Sequence, residues 1–124
     1  MSTVLLVEDD PDIRHLVSYK LTRGGFDVVE AADGFAGLHA ARESRPDLVI
    51  LDVRMPRLSG LEVCRELRAA PGTATVPIIM LTARARPQDV EQAYAAGATE
   101  YVVKPFSPRV LLERVESALQ KVAR

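Results

Sequence analysis

The sequence predicts a three-layer α/β domain: a five-stranded, doubly wound parallel sheet with helices on both faces. Three observations carry this. Short apolar runs alternate with longer amphipathic stretches five times along the chain. Three of the runs, Val4-Leu5-Leu6-Val7, Leu48-Val49-Ile50-Leu51 and Ile78-Ile79-Met80-Leu81, are continuous and rich in Val, Ile and Leu, as strands covered on both faces must be. A strand–helix unit repeated in this way folds by right-handed crossovers into a doubly wound sheet.

The elements follow in order. After the first strand, Ile13, Leu16, Val17 and Leu21 recur at helical spacing, and Gly24-Gly25 end that stretch. Phe26 and Asp27 lead into the shortest run, Val28-Val29, and residues 34–45 carry Ala36, Leu38, Ala40 and Ala41 before Pro46 stops the helix. The third strand ends at Asp52. Ser59 is placed to cap the next helix, with Glu62 in its first turn and Leu61, Cys64 and Leu67 along it. After the fourth strand, Val90, Ala93, Tyr94 and Gly97 share a face, with Gly97 as the C-terminal stop. Tyr101-Val102-Val103 is the fifth strand. The last helix takes Ser107 as N-cap and Pro108 at its first position, followed by Leu111, Leu112, Val115, Leu119 and Val122.

Composition limits the function classes. The 124 residues suit one domain over 1–124, and 48% hydrophobic with 27% charged residues excludes a disordered chain. Sixteen basic against 17 acidic residues give a net charge of -1, which argues against direct binding of nucleic acid. The single cysteine, Cys64, excludes an internal disulfide, and His15 and His39 are too far apart in sequence to form a zinc cluster unaided. No apolar run approaches the roughly 20 residues of a membrane span, and the N-terminus carries no signal-peptide pattern. The expectation is a soluble, cytoplasmic domain.

In open α/β sheets, sites form beyond the carboxyl ends of the strands. Those ends carry Glu8-Asp9-Asp10 after strand one, Asp52 in strand three, Thr82-Ala83 in strand four and Lys104-Pro105 after strand five. Two carboxylates about 4 Å apart at an effective dielectric near 20 repel by about 4 kcal/mol. Either one stays protonated or a cation joins them. Hard oxygen donors without His or Cys suit Mg2+. Beside it, Lys104 and Thr82 suit the oxygens of a phosphate group. No GxxxxGK[ST] loop is present to hold a nucleotide. A carboxylate can itself accept phosphate, and Asp52, at the end of the central run, is the best candidate.

The segments Val7-Glu8-Asp9-Asp10, Leu51-Asp52-Val53-Arg54-Met55-Pro56, Leu58-Ser59-Gly60, Leu81-Thr82-Ala83 and Val103-Lys104-Pro105-Phe106 strongly resemble those of bacterial two-component response-regulator receiver domains. The resemblance covers the whole chain. It implies a flavodoxin-like fold with strand order 2-1-3-4-5, and Asp52 as the acceptor of a phosphoryl group from a sensor histidine kinase or histidine phosphotransfer protein. It also implies Mg2+ held by Asp9, Asp52 and the backbone carbonyl of Arg54, with Glu8 acting through a water. Thr82 and Lys104 would contact the phosphoryl oxygens, Tyr101 would be the switch aromatic, and the Lys104–Pro105 bond would be cis. The fourth helix, fifth strand and fifth helix would form the output face, meeting an output domain, an effector protein or a second copy in a homodimer. Kinase docking would fall on the first helix, around Ile13, Arg14 and Val17.

Blander roles fit the other residues. Asp10 and Asp12 suit a helix N-terminus, Met80 and Cys64 suit the core, and both histidines suit the surface. Arg54 and Arg84, two residues past Asp52 and Thr82, are candidates to tune phosphorylation and hydrolysis. Two rival functions remain: a small aspartate-nucleophile phosphatase and an interaction module that never receives phosphate. The phosphatase is disfavoured because such enzymes usually carry an acid two residues after the nucleophile, where this chain has Arg54. A flavodoxin-like cofactor binder would need a Ser/Thr/Gly phosphate loop after strand one, which is not evident.

Overall fold

The structure, a computed structural model, describes residues 2–122. Five strands and five helices alternate: β1 (Thr3–Val7), α1 (Pro11–Arg23), β2 (Asp27–Ala31), α2 (Gly34–Ser44), β3 (Leu48–Asp52), α3 (Gly60–Ala69), β4 (Ile78–Thr82), α4 (Pro87–Ala96), β5 (Glu100–Val103) and α5 (Pro108–Val122). The strands form one parallel sheet in the order β2-β1-β3-β4-β5. β3 and β4 are buried along their whole length, which is why their sequences read as unbroken apolar runs.

Alternate strand residues feed two cores. Leu5, Val7, Val49, Leu51, Ile78 and Met80 pack with Ala41 of α2, Val63, Cys64 and Leu67 of α3, and Ala93 and Ala96 of α4. Val4, Leu6, Leu48, Ile50, Ile79 and Leu81 pack on the other face with Val17 and Leu21 of α1 and Leu111 and Val115 of α5. The side-chain period of two along a strand makes this division.

Helix ends match their local chemistry. The Asp10 carboxylate accepts from the Asp12 and Ile13 amides, Asp33 caps α2 by accepting from Ala36, and Ser59 with Glu62 forms a reciprocal capping box on α3. Gly97 closes α4 at φ 113°, a left-handed conformation that glycine adopts without strain. The Ser107 carbonyl accepts from the Leu111 amide at 3.1 Å, opening α5 behind Pro108. The far end of α4 is also held from outside. The Arg68 guanidinium donates to the carbonyls of Gly97 (2.9 Å), Ala74 (3.1 Å) and Val76 (2.6 Å), joining α3, α4 and the approach to β4.

Three details depart from the sequence reading. Leu16 is 54% exposed, and Tyr94 and Val122 are also largely exposed, because each lies at the edge of an apolar stripe rather than at its centre. β2 is longer than Val28-Val29: Asp27 and Glu30 belong to it and face solvent, as an edge strand permits. The second helix stops at Ser44, and Arg45 takes a left-handed conformation at φ 46°.

Candidate functional site

Four of the five strands, β1, β3, β4 and β5, deliver polar residues to one end of the sheet. The Glu8 amide donates to the Ala31 carbonyl at 3.1 Å, continuing the β1–β2 ladder one residue past β1. Asp52 ends β3 in register with Leu81, and the Val53 amide bonds to the Leu81 carbonyl at 2.9 Å. Thr82 ends β4, and its carbonyl accepts from the Lys104 amide at 2.6 Å. The Lys104–Pro105 peptide is cis. The chain after Asp52 folds back tightly: the Gly60 amide bonds to the Val53 carbonyl, and a Cβ at Gly60 would stand only 2.1 Å from the Asp52 carbonyl oxygen. Only glycine lets α3 begin there. Arg57, at φ 71°, is held 3.4 Å from the Asp33 carboxylate and against the Phe35 ring, tying this loop to the start of α2.

These bonds bring together side chains from four strand ends. Carboxylate oxygens of Glu8, Asp9 and Asp52 lie within 4.8 Å of one another. Glu8 is fully buried, Asp52 is 5% exposed and Thr82 1%, while Asp9 faces solvent. The Lys104 ammonium lies 2.9 Å from Glu8 Oε1 and 3.3 Å from Asp52 Oδ2. Asp52 Oδ1 accepts weakly from the Arg54 amide at 3.4 Å, and Thr82 Oγ1 accepts from the Arg84 amide at 3.1 Å. Tyr101 is half-buried, and its hydroxyl donates to the Arg84 carbonyl. A cavity of about 490 Å³ opens beside these groups, lined in part by Arg54, Met55, Thr82, Arg84 and Tyr101.

The electrostatics follow from burial. Desolvation, with the Glu8 carboxylate beside it, pushes the Asp52 pKa up to about 8, and Lys104 only partly opposes this. Burial works to lower the Lys104 pKa, but Glu8 and Asp52 outweigh it and hold the ammonium above its ordinary value. Glu8 Oε1 is buried without a directed hydrogen-bond donor, although the ammonium is near it. The short contact there is one of charge rather than hydrogen-bond geometry. Three clustered carboxylates, two of them buried, offer the hard oxygen donors that fit a divalent cation such as Mg2+.

The remaining sequence candidates fall as follows. His15 and His39 are exposed, and Cys64 and Met80 are buried in the core. The docking trio on α1 needs correction. Val17 is 1% exposed and packs beneath the sheet, so Leu16 replaces it at the surface. The Arg14 side chain turns toward the sheet, donating to the Glu8 carbonyl at 2.9 Å and pairing with Glu30 at 3.3 Å. That contact had no signal in sequence spacing, because it needs β2 and β1 to be neighbours.

Among proteins of known identity, the family pattern of the response regulator receiver domain matches residues 4–116. The DNA-binding response regulator MtrA of Mycolicibacterium smegmatis is 44% identical over 118 residues, covering 95% of this chain and 50% of MtrA. This chain thus spans about half the length of the curated relatives it matches. The chemotaxis protein CheY4 of Vibrio cholerae superposes with a TM-score of 0.91 at 38% identity, covering 95% of this chain and 98% of that one. The receiver domain of sensor histidine kinase PA1611 of Pseudomonas aeruginosa, solved with a magnesium ion coordinated in its active-site cleft, superposes at 0.89 with 34% identity. That match covers 96% of this chain and 98% of the other. Sequence pattern, strand order and overall superposition agree, and the chain belongs to the response regulator receiver domains of two-component signalling.

Proposed function

We propose that this domain, residues 1–124, accepts a phosphoryl group on Asp52 from a sensor histidine kinase or histidine phosphotransfer protein. The carrying observation is the buried Asp52 carboxylate grouped with Glu8 and Asp9 and placed 3.3 Å from the Lys104 ammonium. Asp9 and Asp52 would hold Mg2+ directly, Arg54 through its backbone carbonyl and Glu8 through a water. Bound there, Mg2+ would neutralise charge on the phosphoryl oxygens; the magnesium in the Pseudomonas relative supports this choice.

The chain's own residues do the rest. An Asp52 oxygen forms the new O–P bond while the donor's P–N bond breaks, its electron pair remaining on the imidazole. Lys104 shifts from its carboxylate partners to a phosphoryl oxygen, and the Thr82 hydroxyl donates to another. Thr82 lies one residue before the loop whose Arg84 carbonyl binds the Tyr101 hydroxyl, so a movement at Thr82 reaches the α4–β5–α5 face. That face would meet an output domain, an effector or a second copy of the chain. The kinase would dock over the 320 Å³ apolar cavity formed by Ile13, Leu16, Ala83, Pro105 and Phe106 beside Lys104. The named relatives are regulators, which favours a signalling acceptor over a turnover phosphatase. Among the described residues no helix is long and apolar enough to cross a membrane.

Intact mass after incubation with Mg2+ and acetyl phosphate tests the acceptor. One phosphoryl group is expected, lost in Asp52→Asn and without Mg2+. No gain from acetyl phosphate or from a phosphohistidine donor, with Mg2+ bound, would make this a phosphate-independent module. Arg54 and Arg84 are exposed at the cavity mouth and place positive charge where an anionic donor enters. Arg54→Ala and Arg84→Ala should each slow phosphorylation by acetyl phosphate about twofold to fivefold at low salt, the difference closing at high salt. Rates equal to wild type at both ionic strengths would remove the arginines from the mechanism.

A further inference from the structure

We infer that Arg14 is a positioning residue for the metal-binding acids, and that it acts through the Glu8–Asp9 peptide. The inference rests on the reading of Glu8, Asp9 and Asp52 as a Mg2+ site. Val7 is the last residue of β1 with ladder partners on both sides, Ala31 and Leu51. Beyond it, the Glu8 amide still reaches Ala31, but the Glu8 carbonyl has left the sheet. Arg14 Nη1 takes the place of the missing ladder donor at 2.9 Å. The Arg14 side chain is only 16% exposed, and Glu30 of β2 holds its guanidinium in turn through Nε at 3.3 Å. The second oxygen of Glu30 accepts from Ser18 Oγ at 3.2 Å.

The consequence comes from peptide planarity. The Glu8 carbonyl and the Asp9 amide share one rigid plane that contains both Cα atoms, so a bond to the carbonyl restrains the positions from which both side chains depart. One of those side chains is the fully buried Glu8 carboxylate, and the other is the exposed Asp9 carboxylate. The Asp10 amide adds a second tie, donating to Glu8 Oε2 at 3.2 Å. Arg14 therefore orients two of the three acids from outside the site while touching neither carboxylate. The β2 edge, through Glu30, becomes part of the support of a centre at the middle of the sheet.

Charge and position predict opposite signs, which makes the idea testable. Removing a cation near a cation site should tighten Mg2+ binding if only Coulomb interaction matters. Losing an outer partner that orients metal-binding groups should weaken it, by about tenfold. The measurement is calorimetric titration of the full chain with MgCl2, for wild type, Arg14→Met and Arg14→Lys, below the melting temperature of each. We expect about tenfold weaker binding in Arg14→Met and an intermediate affinity in Arg14→Lys, which keeps the charge and a single donor. Equal or tighter binding in Arg14→Met overturns the inference. Should that variant fail to fold, Arg14→Lys carries the test alone: charge is unchanged, so an affinity equal to wild type overturns the inference and a weaker one supports it. Failure of wild type to bind Mg2+ would instead overturn the metal site itself.

Discussion

Lys104→Met should destabilise the metal-free protein by about 3 kcal/mol near neutral pH, a fall of roughly 10 °C in Tm. The ammonium is the cation shared by Glu8 and Asp52. Glu8 is fully buried, and among the described residues its side chain has no other ion-pair partner. Methionine fills the space of the lysine stem but leaves the buried Glu8 carboxylate without its counter-ion. Addition of Mg2+ should restore stability, because the ion binds only the folded state. Thermal melts near neutral pH, with and without Mg2+, check this. An equal deficit with and without Mg2+ would mean that the lysine stem, rather than its charge, holds the site.

Asp52→Asn should have the opposite effect on the metal-free fold. Asp52 titrates near 8 in the folded protein against 3.8 for an ordinary aspartate. Between those values the folded state retains a proton that the unfolded state has released. Stability from this group is therefore fully present below about pH 4, falls as pH rises, and is lost above about 8. Asparagine has no proton to lose. Without Mg2+ the variant should match wild type near pH 4 and exceed it at pH 8–9; with Mg2+ only wild type should gain. The Lys104 ammonium, with its pKa raised by the same neighbours, contributes stability that persists until pH passes its folded pKa, so it adds no slope within this window. Parallel pH–Tm curves for the two proteins would refute the raised Asp52 pKa.

The parts of this molecule that could be read from sequence are those governed by local rules. Strands buried on both faces leave contiguous apolar runs, so β1, β3 and β4 were plain, and the acids ending β1 and β3, with Thr82 ending β4, marked the site. β2 was only half visible because an edge strand tolerates Asp27 and Glu30. The helical period located α1 but did not settle the edge of its stripe, so Leu16 and Val17 exchanged surface and core roles. What stayed hidden depends on which elements become neighbours. Arg14 meets Glu30 because β2 lies beside β1, and Arg68 reaches Gly97 because α3 lies beside α4. Neither partnership has a spacing signature along the chain.

The inner place of β1, between β2 and β3, also bears on how the domain is made. β1 is synthesised before both of its partners: one edge waits for β2, and the other for β3, which is complete only at Asp52. At about 5–20 residues per second of synthesis, that edge stays open for seconds. β4 and β5 then add outward on one side. A nascent chain arrested before Leu48 lacks the partner of the Val4–Val7 edge, whereas one arrested after Thr82 contains β1, β3 and β4, the strands that place Glu8 and Asp52 side by side in the finished sheet. Within this domain the three acids are thus synthesised before the lysine that neutralises them, which follows β4 and β5.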